Sequence, residues 1–94
     1  MKKEITTQDR IQRITAMEML YDEIVTELGH LQKQQTLPEL LQKKILDLER
    51  YYESADWLAD KEADDCGELP KSLKRGILTE DTIYDLLCEA DTRR

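Results

Sequence analysis

The chain has no phenylalanine, and its 94 residues include only one tryptophan, one histidine, two cysteines, two prolines and three glycines. Each scarcity excludes something. Without Phe, the core must be filled by Leu, Ile, Met and Tyr, and a chain this short buries only a modest fraction of its surface. Two cysteines, Cys66 and Cys88, are poor material for a disulfide framework, so a reducing compartment is the simpler expectation. The N-terminal stretch Met-Lys-Lys-Glu-Ile-Thr-Thr-Gln-Asp lacks the apolar segment of a secretory leader. No apolar run approaches the roughly 20 residues of a membrane helix. The expectation is one cytoplasmic domain over 1–94 that stays off the membrane. The glycines form no phosphate-cradling loop, and His30 has no Cys or second His at metal-ligand spacing.

Charge is plentiful but uneven. The net charge is -7. Residues 1–52 carry 8 basic and 9 acidic groups, whereas residues 53–68 carry 7 acidic and 1 basic. A short basic knot, Lys71, Lys74 and Arg75, follows. Direct binding to duplex nucleic acid is not expected, because phosphate contacts need a positive footprint. A basic protein partner, or mimicry of nucleic acid, is compatible with the acidity.

Periodicity points to an all-α fold. Ile11, Ile14, Met17, Tyr21, Ile24, Leu28 and Leu31 recur in steps of three and four, which predicts a first helix over 6–35. Thr6 and Asp9 resemble a capping box at its start. Thr36 and Glu39 make a second box, with Pro38 in the first turn, and open a helix over 36–52 with Leu37, Leu40, Leu41, Ile45, Leu48, Tyr51 and Tyr52 on its apolar side. Two such helices joined by a short polar link predict a long antiparallel hairpin. A short-helix C-terminal module occupies 53–94. A break near Glu53-Ser54 is expected, with Ser54 capping an acidic helix, the alternative being one continuous second helix to residue 65. Gly67 ends the segment, Pro70 to Gly76 forms one helical turn, and Thr79 caps the final helix with Glu80 and Asp81 in its first turn. Ile83, Leu86, Leu87 and Ala90 form that helix's apolar stripe, and Cys88 is expected as a small core or edge group. Gly76 is expected to relieve the backbone before Thr79.

The candidate site lies in this acidic stretch. Asp56, Asp60 and Asp64 are four residues apart, so a helix stacks them on one face, with Asp65 close by. Such carboxylates suit a hard cation. They equally suit a solvated or partner-facing patch, or pairing with Lys74 and Arg75 across the fold. Trp57 is either a core plug or a binding anchor. The sequence holds no Ser-His pair, activated thiol or cofactor motif, so neither catalytic residues nor a cofactor are expected.

Tyr52, Ser54, Trp57, Asp60, Asp64, Gly67, Leu69-Pro70, Leu73-Lys74-Arg75-Gly76, Leu78-Thr79-Glu80-Asp81 and Tyr84-Asp85-Leu86-Leu87 carry a resemblance. Over residues 50–87 the chain resembles an uncharacterised family of small proteins, found mainly in Gram-positive bacteria and their mobile elements. Glu53, Asp65 and Thr79 stand where that family often has Gly, Glu and Ser. The resemblance implies a fold and no activity. The leading expectation is a non-enzymatic helical protein-binding domain with an acidic partner surface of Asp56, Trp57, Asp60, Asp64, Asp65, Lys74 and Arg75. A basic protein partner and a homodimer are both compatible with it. The alternatives are an inhibitor or nucleic-acid mimic from a mobile element, and a small metal-binding protein or metal-dependent enzyme using the clustered Asp residues.

Overall fold

A computed structural model describes residues 7–31 and 36–92. These residues form four α-helices and no strand, so the all-α class is observed. Helix α1 spans Thr7–His30, α2 Glu39–Tyr52, α3 Ala55–Asp65 and α4 Glu80–Asp91, with a 3₁₀ turn at Gly76–Leu78 ahead of α4. The first helix is shorter than the expected 6–35: it passes through Gly29 and stops at His30. Thr6, and with it the first capping box, lies outside the described residues, as do residues 32–35.

Helix α2 starts three residues later than expected. Pro38 occupies the N-cap with ψ 148°, an extended value, and no side chain caps the helix. Thr36 is therefore too far upstream to act as a cap, and its box with Glu39 does not form. The Gln42 side-chain amide instead donates to the Leu37 carbonyl at 2.8 Å. Leu41, Ile45, Leu48 and Tyr51 then face inward at helical spacing, while Leu40 points outward and is 64% exposed.

The break before Ser54 is present. The Ser54 hydroxyl accepts from the Trp57 N–H at 3.3 Å and donates to the Tyr51 carbonyl at 2.6 Å, so one side chain closes α2 and opens α3. Helix α3 ends as its sequence predicts. Gly67 has φ 73°, its N–H reaches the Asp64 carbonyl, and the Glu68 N–H reaches the Ala63 carbonyl. This 5→2 and 6→1 pair is a Schellman ending, and only glycine takes that φ without steric penalty.

Two later expectations change. The segment from Pro70 is a turn closed by the Leu73 N–H on the Pro70 carbonyl. Gly76 opens the following 3₁₀ turn instead of closing a helical one, and its φ is not positive. Thr79 does sit at the α4 N-cap with extended backbone, but its hydroxyl makes no cap bond to the helix. It donates to the Gly76 carbonyl at 3.0 Å and meets the Thr82 hydroxyl.

The core is one cluster drawn from every element. Ile14, Ile24, Leu41, Ile45, Leu48, Ile77 and Ile83 are its fully buried large apolar members. Helix α1 packs on α2, on the 3₁₀ turn and on α4, and α3 packs on α2 and on the 3₁₀ turn. The molecule measures 47 × 30 × 17 Å. Its shortest extent is under twice the roughly 10–12 Å diameter of a helix. In so thin a body every helix keeps an outer face, and what those faces carry decides what the protein can bind.

Candidate functional site

The three stacked aspartates of α3 meet different fates. Asp60 is 0% exposed. Arg13 grips it with two nitrogens, Nε on Oδ2 at 2.9 Å and Nη2 on Oδ1 at 2.5 Å. Arg10 adds Nε on Oδ1 at 3.2 Å, and the Tyr51 hydroxyl donates to Oδ2 at 2.6 Å. Asp60 thus ties α1, α2 and α3 together. Its place in the expected partner surface is corrected, because both oxygens are turned inward onto cations and a phenol. Two arginines one turn apart on α1 supply the compensation that makes burying a carboxylate tolerable. Asp56 stays exposed, 3.6 Å from Arg13 Nη1. Asp64 is half-buried and pairs with Arg75 Nε at 3.2 Å, while exposed Asp65 pairs with Lys61 at 3.4 Å.

The network sets the acid–base character of its members. Burial, then the hydrogen bond to Asp60, pushes the Tyr51 phenol far above its usual range. The hydrogen bond to Asp60 raises Arg13 further. These groups hold their protons and their geometry, the opposite of what proton transfer near neutrality requires. Among the described residues, no group of three or more His, Cys, Asp or Glu is arranged to hold a metal ion.

Trp57 is likewise inside. Its Nε1 donates to the Ile77 carbonyl at 2.9 Å, and Tyr52 meets its ring edge-on with centroids 5.0 Å apart. The tryptophan therefore plugs the junction of α2, α3 and the 3₁₀ turn. It is not an exposed anchor, because the indole N–H needs an acceptor once buried. Cys88 is corrected in the other direction. Ile83, Leu86 and Ala90 take the inner stripe of α4, which leaves Cys88 exposed on the outer one. Cys66 is exposed too.

Lys74 pairs with neither Asp56 nor Asp64. It crosses to α1, where its Nζ lies 2.5 Å from Asp22 Oδ2 and 3.7 Å from Glu18 Oε2. Glu18 went unnoticed in the sequence, although it stands four residues after Ile14 in the α1 core register. A charge in that register signals a buried group with a partner. Glu18 is 4% exposed, and its Oε1 accepts the Ile77 backbone N–H at 2.8 Å. Arg10 and Arg13 carried a weaker signal, two cations one turn apart beside an apolar stripe.

Two features of the outer faces bear on binding. The first is a groove of about 400 Å³ between α1 and residues 70–74. Ile11, Met19, Pro70 and Leu73 supply apolar wall, with Glu18, Asp22 and Lys74 at one side. The second is the outer stripe of α4. Asp81, Asp85 and Glu89 recur every four residues, with Tyr84 and Cys88 beside them, all exposed. The three carboxylates form no ion pair with any described residue. Tyr84 is 56% exposed, and the neighbouring Cys88 thiol raises its phenol. Tyr21, on α1, is half-buried. Its phenol is raised by burial first, then by Asp22, Glu18 and Asp85, with Lys74 opposing.

No described helix is long and apolar enough to cross a membrane. Comparison with curated proteins and with solved structures finds no match. Residues 14–92 match the family described as Domain of unknown function (DUF4298), and the chain belongs to that family.

Proposed function

We propose that this DUF4298 member is a non-enzymatic helical domain that binds a basic segment of another protein. In this reading α1 and α2 form an antiparallel hairpin that carries the other elements, and the recognition charge lies outside it. The carrying observation is how the carboxylates divide. Those of Asp60 and Asp64 are held by the chain's own arginines. Those of Asp81, Asp85 and Glu89 pair with no described residue and stand exposed around an exposed tyrosine. Like charges at four-residue spacing weaken an isolated helix slightly. A basic partner relieves that repulsion and is drawn in faster by the field, which adds encounter rate more than affinity. Tyrosine among charges is a typical amphipathic contact, apolar in body and polar at its tip.

The test is affinity capture from native lysate with the parent and with a D81N/D85N/E89Q variant. The parent should retain a stoichiometric protein partner, lose it as salt rises, and retain far more of it than the variant. A partner held equally by both proteins, or no stoichiometric partner at all, overturns the reading.

A further inference from the structure

We infer that the groove between α1 and residues 70–74 is the seat for a lysine or arginine of an amphipathic basic segment, and that Lys74 occupies it as an internal placeholder. The inference rests on the basic-partner reading above and adds the place where that partner is anchored. Three observations carry it.

The groove has the right size and lining. Its volume of about 400 Å³ falls within the roughly 300–1,000 Å³ of ligand-binding clefts, enough for a few side chains. Met19 stands in it 60% exposed. Methionine is unbranched and polarizable, which suits it to surfaces that adapt to a partner's apolar side chains.

The groove also contains a buried charge whose ion pair is long. Glu18 Oε1 is hydrogen-bonded to the Ile77 N–H. Oε2 makes no hydrogen bond with a described residue; Lys74 Nζ, at 3.7 Å, is beyond hydrogen-bond reach. A carboxylate whose residue is 4% exposed, lining the groove and ion-paired only at 3.7 Å, attracts a cation that can approach more closely.

Lys74 holds its place loosely. Its side chain is 63% exposed, and Asp22 opposite is 53% exposed. Exposed pairs of this kind contribute about 0–1 kcal/mol, so an incoming cation with an apolar stem displaces Lys74 at little loss.

The probe is a synthetic helical peptide of leucine and lysine in amphipathic order, set against a scrambled peptide of identical composition and charge. Binding is followed by titration calorimetry and by the Met19 methyl NMR signal, assigned with Met19→Leu. The amphipathic peptide should shift the Met19 signal. It should bind at least about fivefold tighter than the scrambled one, and Met19→Lys should remove that margin, as expected of a residue above the hot-spot threshold. Lys74→Gln should tighten binding more than Lys71→Gln, which removes the same charge from an exposed residue outside the groove. An unchanged Met19→Lys, or equal effects of the two lysine substitutions, overturns the groove assignment. If binding then still falls in D81N/D85N/E89Q, the basic-partner reading survives without the groove. Equal binding of the ordered and scrambled peptides overturns the groove, and the lysate capture then decides the wider reading separately.

Discussion

Replacing Asp60 by alanine should remove a large share of this protein's stability. Asp60 is 0% exposed and accepts four hydrogen bonds, three from Arg10 and Arg13 and one from Tyr51. Removing it strands two guanidinium groups and a phenol that were oriented around it. Breaking a buried ion pair by deleting one partner costs about 3–5 kcal/mol. The Arg10 and Arg13 side chains are 20% and 19% exposed, so they recover some hydration and about 3 kcal/mol is the better figure. A chain of this length has a total stability on the order of 5–14 kcal/mol. The loss should lower Tm by about 12–24 °C. Asp60→Asn separates charge from shape. It should also lose more than an exposed pair does, because its amide nitrogen would face donors. The assay is urea unfolding followed by circular dichroism, with an Asp60→Ala/Arg13→Ala cycle to isolate the coupling. The rival view treats the network as an ordinary surface pair worth about 0–1 kcal/mol. A loss within that range, or no coupling between Asp60 and Arg13, refutes the argument.

Leu48→Ala should destabilise by about 2–5 kcal/mol because Leu48 is fully buried, whereas Leu40→Ala should stay within about 0.5 kcal/mol; equal losses in urea melts would contradict the inward face of α2. Glu18→Leu strands the buried Ile77 N–H and should cost about 1–3 kcal/mol, while Glu18→Gln keeps the acceptor; matching melts of the two variants would remove Glu18 from its role. The Tyr51 phenol is raised in the folded state, so its stabilising effect is complete below the unfolded value of about 10 and is lost as pH climbs beyond it. The parent should therefore lose up to about 1.4 kcal/mol per pH unit above that point through this group, and Tyr51→Phe should show a shallower decline between about pH 10 and 11; identical slopes would show that Tyr51 is not the titrating group.

Local chemistry was legible in the sequence wherever one short stretch contained both the signal and its partner. The stripe of Leu41, Ile45, Leu48 and Tyr51, the Ser54 cap and the Gly67 ending each depend on residues within a turn or two, and each formed as their spacing implied. Local competition also explains the near misses. Pro38 took the cap position from Thr36 through its extended backbone, and the Thr79 hydroxyl turned back to Gly76. What the acidic stretch does was not legible. Asp56, Asp60 and Asp64 share one spacing and one chemistry, yet one is exposed, one is buried and one is half-buried. The difference comes from α1, 47 to 50 residues earlier in the chain, where Arg10 and Arg13 wait for Asp60. The pairing of Glu18 with the Ile77 N–H spans 59 residues. Helical periodicity states which residues share a face. It does not state which charges face each other once the helices pack, because that is fixed by long-range geometry and by the rule that a buried charge must find a partner. The sequence by itself determined the all-α class and the local signals at Ser54 and Gly67 that bound α3. Tertiary structure decided which carboxylates hold the fold together and which stay exposed without an ion pair to a described residue.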